Sequence, residues 1–400
     1  MSKSSARVLF VSHSASRNGA TILLLHLLRW LRRRTDFQIE VLVAGKGDLL
    51  PEFQALVPTR VWRNPARVLN SLPHKTRALL SSRLESAFLK TLLRGKRYDL
   101  VHLNTVANWR HVPHLIRHSP SLLWHVHEMS YAVRLTMGDA WEQVFPMAQR
   151  FVAVSQAVHN TLVNEFKVLP ESVDLVHGFI PPNTFTTDEK QRYRTRIRKE
   201  LGFAENAFVV GGCGALGWRK GTDLFVQIAK RFAQQQPGQP LGFLWVGGHL
   251  NDQESLEFQQ DVRLSGIRVP CRLVATTAAV AEYYCAMDAF ALTSREDPFP
   301  LVMLEAGAAG LPTVCFEQAG GGAEFVRDGA GFTVPYLELE AFCERLRTLQ
   351  GNATLRRRLG DEAARRVREI YTVDHQAPLL LKSMERCLKL NADRSICLRS

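Results

Sequence analysis

Twelve short, almost wholly apolar runs recur along the chain, each followed by a stretch with helical spacing. In the first half they are Val8–Val11, Ile39–Val43, Leu100–Leu103, Leu122–Val126, Phe151–Val154 and Val173–Val176. In the second they are Phe208–Val210, Phe243–Val246, Arg272–Val274, Ala289–Leu292, Thr313–Phe316 and Gly331–Val334. Strands apolar on both faces suit a parallel sheet covered by helices on both sides. Strand and helix in alternation predict doubly wound α/β architecture. Six strands in each half make two sheets, and 400 residues exceed the roughly 100–200 of one ordinary domain. The break falls at Phe179-Ile180-Pro181-Pro182-Asn183, where two prolines stop regular structure before Thr184 to Glu200 restarts it as a helix. The expected domains are therefore 1–182 and 183–368. Segment 369–400 closes the chain, with an amphipathic helix over Tyr371 to Leu390 and a frayed end over Asn391 to Ser400.

Composition adds a constraint. With 46% hydrophobic and 22% charged residues this is a globular chain, yet its formal charge is +13. Basic balance points to nucleic acid, anionic membranes or phosphorylated substrates. The charge is clustered: Arg29, Arg32, Arg33 and Arg34 close one helix, and Lys75, Arg77, Arg83, Lys90, Arg94, Lys96 and Arg97 face only Glu85. Among the latter, Leu79, Leu80, Leu84, Phe88 and Leu92 recur at helical spacing. Two readings stay open, a core-facing helix with a solvated basic face or a basic helix lying on an anionic membrane. A nucleic-acid binder is suggested by charge alone, with no recognition helix or RNP-like aromatic signature, so no nucleic-acid partner is expected. No signal peptide is visible, and the run Ile22 to Leu31, broken by His26 and Arg29, is too short to span a bilayer. The expected location is the cytoplasm, with peripheral contact at the inner face of the plasma membrane. Seven cysteines lie between Cys213 and Cys397, none in a C-x-x-C pair. The apolar contexts of Cys213, Cys285 and Cys315 predict buried, reduced thiols and no zinc site.

In open parallel sheets ligands bind beyond the carboxyl ends of the strands, so the loops there matter most. Ser12 to Ala20 is polar and small ahead of a helix. It can offer backbone N–H groups to an anion, and Gly19 lets backbone approach a ligand closely. Trp124-His125-Val126-His127-Glu128 ends the fourth apolar run. If the strand continues, His125 and His127 share one face, and His127 can hydrogen-bond or move a proton near neutral pH. A structural role beside Glu128 is the alternative, and a metal reading of His-x-His lacks a third ligand. Gly212 to Gly217 contains G-x-G-x-x-G, but the next strand ends Val246-Gly247-Gly248-His249. No carboxylate there holds a ribose, which demotes a dinucleotide site. Instead Arg219 and Lys220, just ahead of a helix beginning near Thr222, suit a diphosphate clamp.

The loop Thr293-Ser294-Arg295-Glu296-Asp297-Pro298-Phe299-Pro300 is the most informative. Pro300 suits a first helical turn, and Glu305 follows in the helix from Leu301 to Gly310. Eight residues of continuous helix would separate Asp297 from Glu305 by about 12 Å. That is wider than the roughly 5–9.5 Å of a glycosidase pair. The better use of these carboxylates is to accept hydrogen bonds from the vicinal hydroxyls of ribose or a hexose.

Together Gly19-Ala20, the strand-end His127, the run Trp218-Arg219-Lys220-Gly221 and Asp297-x7-Glu305 resemble family 4 of the glycosyltransferases. The likeness extends over essentially the whole chain, and Ser294 to Pro300 looks like a bacterial branch. It implies the GT-B fold, two facing Rossmann-like domains with an interdomain cleft. It also implies a retaining sugar transfer from a nucleotide-sugar donor, with no cofactor and no metal, to a glycan or lipid-linked acceptor of surface polysaccharide synthesis. Catalytic roles fall to His127, touching the donor sugar, and Asp297, holding its hydroxyls. Donor binding falls to Glu305 at the ribose, Arg219 and Lys220 at the diphosphate, and Gly19 from the first domain. Backbone amides around Phe299, Pro300, Leu301 and Val302 complete it. Three departures bear on the donor: Asp297 where glutamate is common, Ala215 where arginine is frequent, and His177-Gly178 where Asn-Gly is frequent. A GT-B epimerase or phosphorylase, or a catalytically silent nucleotide-binding scaffold, is the alternative.

Overall fold

The computed structural model describes residues 5–62, 74–182 and 185–397, with the backbone alone for 74–83 and 391–397. The chain divides into two compact units, Met1–Gly178 with Val373–Ser400, and Phe179–Thr372. The breaks fall after Gly178 and Thr372 rather than after 182 and 368. Ile180 forms a bridge with Thr372, and its N–H donates to the Tyr371 carbonyl at 3.1 Å, which ties the proline linker to the second unit.

Among the described residues the first unit is built on seven parallel strands: β1 (Arg7–Ser12), β2 (Gln38–Val43), β3 (Thr59–Val61), β4 (Leu100–Asn104), β5 (Leu122–Val126), β6 (Arg150–Ala153) and β7 (Val173–Leu175). Their order is β3-β2-β1-β4-β5-β6-β7. The six expected strands are present and β3 is an addition. It is three residues long, only partly buried at the sheet edge, and its Thr-Arg-Val sequence carries no apolar run. The helix Val373–Cys397 belongs to this unit. It is pinned by Asp374 accepting from Trp30 Nε1 (3.2 Å), Arg386 pairing with Asp174 (2.7 Å) and the Cys387 carbonyl accepting from Ser121 Oγ (3.3 Å). Its backbone is helical past Leu390 as far as Cys397, through most of the segment expected to fray, and 398–400 lie outside the described residues.

Charge placement in this unit has local explanations. Arg32, Arg33 and Arg34 occupy the last turn of the helix Gly19–Arg34, where cations meet the negative end of the helix dipole. The basic stretch from Lys75 to Lys90 lies on the helix His74–Leu93, and Arg94, Lys96 and Arg97 follow it. Among its described side chains Leu89 and Leu93 face the core, whereas Leu84 and Phe88 are exposed. The side chains of Lys75, Arg77, Leu79, Leu80 and Arg83 lie outside the described residues.

Among the described residues the second unit has six parallel strands: β8 (Phe208–Cys213), β9 (Leu241–Val246), β10 (Cys271–Val274), β11 (Ala289–Leu292), β12 (Thr313–Phe316) and β13 (Gly331–Val334), ordered β10-β9-β8-β11-β12-β13. One side is closed by a core that includes Phe225, Phe232, Phe243, Trp245, Phe316 and Phe342. The helix Thr187–Leu201 opens with a capping box, Thr186 and Glu189 satisfying each other's backbone N–H. Both sheets reverse strand order at one place, between β1 and β4 and between β8 and β11. These switch points are where open α/β sheets leave a crevice.

Candidate functional site

At the second unit's switch point two loops meet. After β8 the chain passes Gly214 and Gly217, both at positive φ, makes a short 3₁₀ turn over Trp218–Lys220, and enters the helix Thr222–Gln234 through Gly221 at φ 64°. A Cβ on Gly221 would come within 2.0 Å of the Thr293 carbonyl, so glycine is required both by its dihedral and by the approach to the neighbouring strand end. That approach delivers Lys220 to Asp297, Nζ to Oδ2 at 2.5 Å, with Ser294 Oγ donating to the same oxygen at 3.1 Å. Arg219 Nη1 donates to the Glu296 carbonyl at 2.9 Å and stands 3.9 Å from Asp297 Oδ1. Arg295 grips Asp223 with two bonds of 2.8 and 2.7 Å and lies over the Trp218 ring. The Asp297 backbone is fixed as well, donating to Ala319 O at 2.7 Å.

Pro300 then leads into the helix Leu301–Ala308, whose start has no side-chain cap. Its first N–H groups, at Leu301 and Val302, are the orphan donors every helix presents to an anion. The Phe299 side chain is buried against Tyr371, so any ligand contact there is through backbone. Glu305 is half-buried and accepts a hydrogen bond from Tyr284 Oη at 2.9 Å. Burial pushes its carboxyl up to about 7, against which the Tyr284 bond works downward. Cys213, at the end of β8, feels the charges of both Glu305 and Lys220. The structure thus brings Arg219, Lys220 and Asp297 into direct contact and places Glu305 in the same neighbourhood, one helical turn on. Ser294 and Tyr284 were not foreseen from sequence. Tyr284 sits in a helix before β11 and carries no motif signal.

In the first unit the loop after β1 is held by Ala15 N–H to Gly45 O (3.1 Å) and Leu49 N–H to Ala15 O (2.9 Å). Asn18 caps the helix Gly19–Arg34 by accepting from Thr21 N–H at 3.0 Å, leaving Gly19 exposed as the first helical residue. Sheet register sets Ser12 beside Asn104, and Asn104 beside His125, across three adjacent strands. His127 lies just past β5. Its Nε2 is 3.0 Å from Asn104 Oδ1, its ring is 4.2 Å from that of His125, and its N–H donates to Glu128 Oε2 at 2.9 Å. Burial, reinforced by His102 and His13, holds the His127 imidazole down to about 3. His102 and His125 are fully buried, and neither ring of this pair has a hydrogen-bond partner. Among the described residues no three of His, Cys, Asp and Glu are grouped to hold a metal ion. Nor, among them, is any helix long and apolar enough to cross a membrane.

Comparison with known proteins follows the same division. Residues 207–352 match the family described as Glycosyl transferases group 1, and residues 17–184 match Glycosyltransferase Family 4. A D-inositol 3-phosphate glycosyltransferase of Jonesia denitrificans is 27% identical over 308 residues, 72% of each chain. The amylovoran biosynthesis glycosyltransferase AmsD of Erwinia amylovora is 28% identical over 161 residues, 40% of this chain and 44% of that protein. Among solved structures, Anabaena HepE in complex with UDP-glucose superposes with a TM-score of 0.77 at 21% identity, over 95% of this chain and 100% of that one. WaaG, a glycosyltransferase involved in lipopolysaccharide biosynthesis, gives 0.70 at 15% identity, over 94% and 98%. These are GT-B enzymes, and two Rossmann-like units with parallel sheets are what this chain contains. Since the two matched segments take in most of the sequence, the protein belongs to the family 4, group 1 glycosyltransferases and is a transferase of sugars.

Proposed function

We propose that the protein is a retaining, metal-independent glycosyltransferase that moves a sugar from a nucleotide-sugar donor to a glycan or lipid-linked acceptor in bacterial surface polysaccharide synthesis. The observation that carries this reading is the Arg219–Lys220–Asp297 cluster beside the uncapped start of the helix Leu301–Ala308. Two cations and a row of N–H groups suit a leaving diphosphate. Glu305 would accept the ribose hydroxyls. Asp297 orients Lys220 through Oδ2, and its Oδ1 keeps capacity to accept from a hydroxyl of the transferred sugar. His127 and the Gly19 turn serve from the first unit. The anomeric carbon–oxygen bond to phosphate breaks, the acceptor oxygen bonds the same carbon on the same face, and the departing phosphate takes the acceptor's proton. The positive charge of Arg219 and Lys220 does the neutralising for which other enzymes use a metal. The UDP-glucose held by HepE and the amylovoran role of AmsD support a nucleotide sugar and a polysaccharide product.

Calorimetric titration with UDP, GDP, ADP and dTDP tests it. One nucleotide is expected to bind selectively, and Lys220→Ala to weaken it by about 10- to 100-fold, as for loss of one charge-assisted phosphate contact. Well-folded protein that binds none of the four would sink the donor assignment.

Membrane contact is part of the same proposal. The helix His74–Leu93 turns Leu84 and Phe88 outward, alongside an exposed Lys90. Apolar side chains amid basic ones suit the headgroup boundary of an anionic bilayer. In flotation at low salt the protein should rise with vesicles containing phosphatidylglycerol and lose most of that binding in Leu84→Ser/Phe88→Ser. Equal recovery with neutral vesicles would refute an electrostatic attachment.

A further inference from the structure

Asn104 has no part in the roles assigned above, yet it is fully buried at the carboxyl end of β4, at the switch point of the first sheet. Its amide touches two expected donor-site elements at once. Nδ2 is 3.2 Å from the carbonyl of Ala20, in the first turn of the helix that begins at Gly19, and Oδ1 is 3.0 Å from His127 Nε2. A backbone carbonyl can only accept, so the amide must turn its NH₂ toward Ala20. That leaves Oδ1, which can only accept, facing the imidazole. The proton of a neutral imidazole must then sit on Nε2, and Nδ1 is a bare lone pair.

We propose that Asn104 is a positioning residue that fixes the tautomer of His127, leaving Nδ1 to accept a hydrogen bond from a hydroxyl of the transferred sugar. The inference rests on the donor reading above for its sugar half; its tautomer half stands on the contacts alone. The surroundings show that Asn104 is held firmly. The next residue, Thr105, has φ 75°, a conformation that is strained for a β-branched residue and persists only when neighbours over-determine it. Here they do: Trp124 Nε1 donates to the Thr105 carbonyl at 3.0 Å, Thr105 N–H donates to His125 O at 2.9 Å, and Thr105 Oγ1 accepts from Ala107 N–H at 3.2 Å. Glu128 Oε2 joins the two strand ends from the other side, accepting from both Val106 N–H and His127 N–H. The result is a rigid frame in which the helix start at Gly19 and the ring of His127 keep one spacing and one polarity. Such a site selects a hydroxyl donor. A sugar deoxygenated at that position would leave Nδ1 unpaired and be bound more weakly.

Histidine-selective ¹⁵N labelling gives the test, with His127→Gln identifying the signal. At pH 7 His127 should show an exchange-protected proton on Nε2 and an unprotonated Nδ1. Asn104→Ala should abolish the protection, and UDP-glucose, but not UDP, should shift Nδ1. Asn104→Ala should also weaken UDP-glucose about tenfold more than it weakens UDP, the mark of a lost sugar contact beyond any effect through the Gly19 helix start; equal losses for the two would overturn the sugar contact. A proton found on Nδ1 in the wild type overturns the assignment even if Asn104→Ala fails to fold. Unchanged protection in folded Asn104→Ala overturns it too. If UDP binds and UDP-glucose leaves Nδ1 unmoved, the sugar contact is wrong. If neither binds, the failure falls on the donor reading, and the labelled-histidine result decides Asn104 by itself.

Discussion

On lowering the pH from 7 to 4, the first unit should unfold at a markedly lower temperature while the second is held. His102 is fully buried with neither ring nitrogen bonded, and burial holds its imidazole down to about 3. His125, ring to ring with it at 5.5 Å, is held well below the usual value by burial and by its histidine neighbours. In the unfolded chain both titrate near 6.5. Below that pH the unfolded state binds protons that the folded state refuses, so stability falls continuously as pH drops from 6.5 toward 3. At pH 4 His102 alone withdraws on the order of 3 kcal/mol, a large share of the roughly 5–15 kcal/mol a domain has. His125 adds in the same direction. Twelve of the 13 histidines lie in the first unit and only His249 in the second, so the two should separate in calorimetry as pH is lowered. His102→Phe, beside Phe10 at 4.8 Å, should flatten the pH dependence of the first transition. Two transitions that move together, or not at all, would refute the account.

Glu305→Gln should stabilise the second unit at pH 8 and impair nucleotide binding. The folded carboxyl titrates near 7 against about 4.5 when unfolded, so burial disfavours its charge. The stability this group allows is complete below 4.5, is lost as pH rises toward 7, and stays lost above. Glutamine keeps the acceptor for Tyr284 Oη without the charge, and should gain about 2–3 kcal/mol at pH 8 and nothing at pH 4. If Glu305 accepts ribose hydroxyls, the same variant should bind nucleotide at least about tenfold more weakly. Wild-type affinity should itself decline as pH falls below 7. A higher melting temperature with intact binding would remove Glu305 from the ligand, and a lower one would contradict the cost of its burial.

The fold was legible because apolar runs such as Leu122–Val126 and Ala289–Leu292 coincide with β5 and β11 residue for residue. Strand β3 was not, since a short edge strand that is partly buried on one face and exposed on the other needs no hydrophobic run. The site divides in a similar way. Arg219, Lys220 and Asp297 could be picked out because charged residues in glycine- and proline-shaped loops have few structural reasons to be there. That Lys220 would close on Asp297 depends on Gly221 meeting Thr293, a contact 72 residues apart in sequence that no local pattern encodes. Asn104 was overlooked although it ends an apolar strand just as His127 follows one. The rule that flagged the histidine applies to it equally. The helix His74–Leu93 misled in detail: spacing picked out Leu84 and Phe88 as members of an apolar stripe, while the core takes Leu89 and Leu93 from the same helix.

The return of the chain to the first unit after Thr372 has a consequence for biosynthesis. While the ribosome is still making 179–372, the first sheet lacks the helix Val373–Cys397, which packs on β4, β5 and β6. The surface that Leu380, Met384 and Cys387 later cover is then open to water. The segment translated first is thus finished last, after the second unit has had time to fold independently. For that interval the nascent chain displays an uncovered apolar sheet face of the kind chaperones hold. Ribosome stalling or premature termination within the second unit would harm the first, leaving a partly folded half exposed to proteolysis.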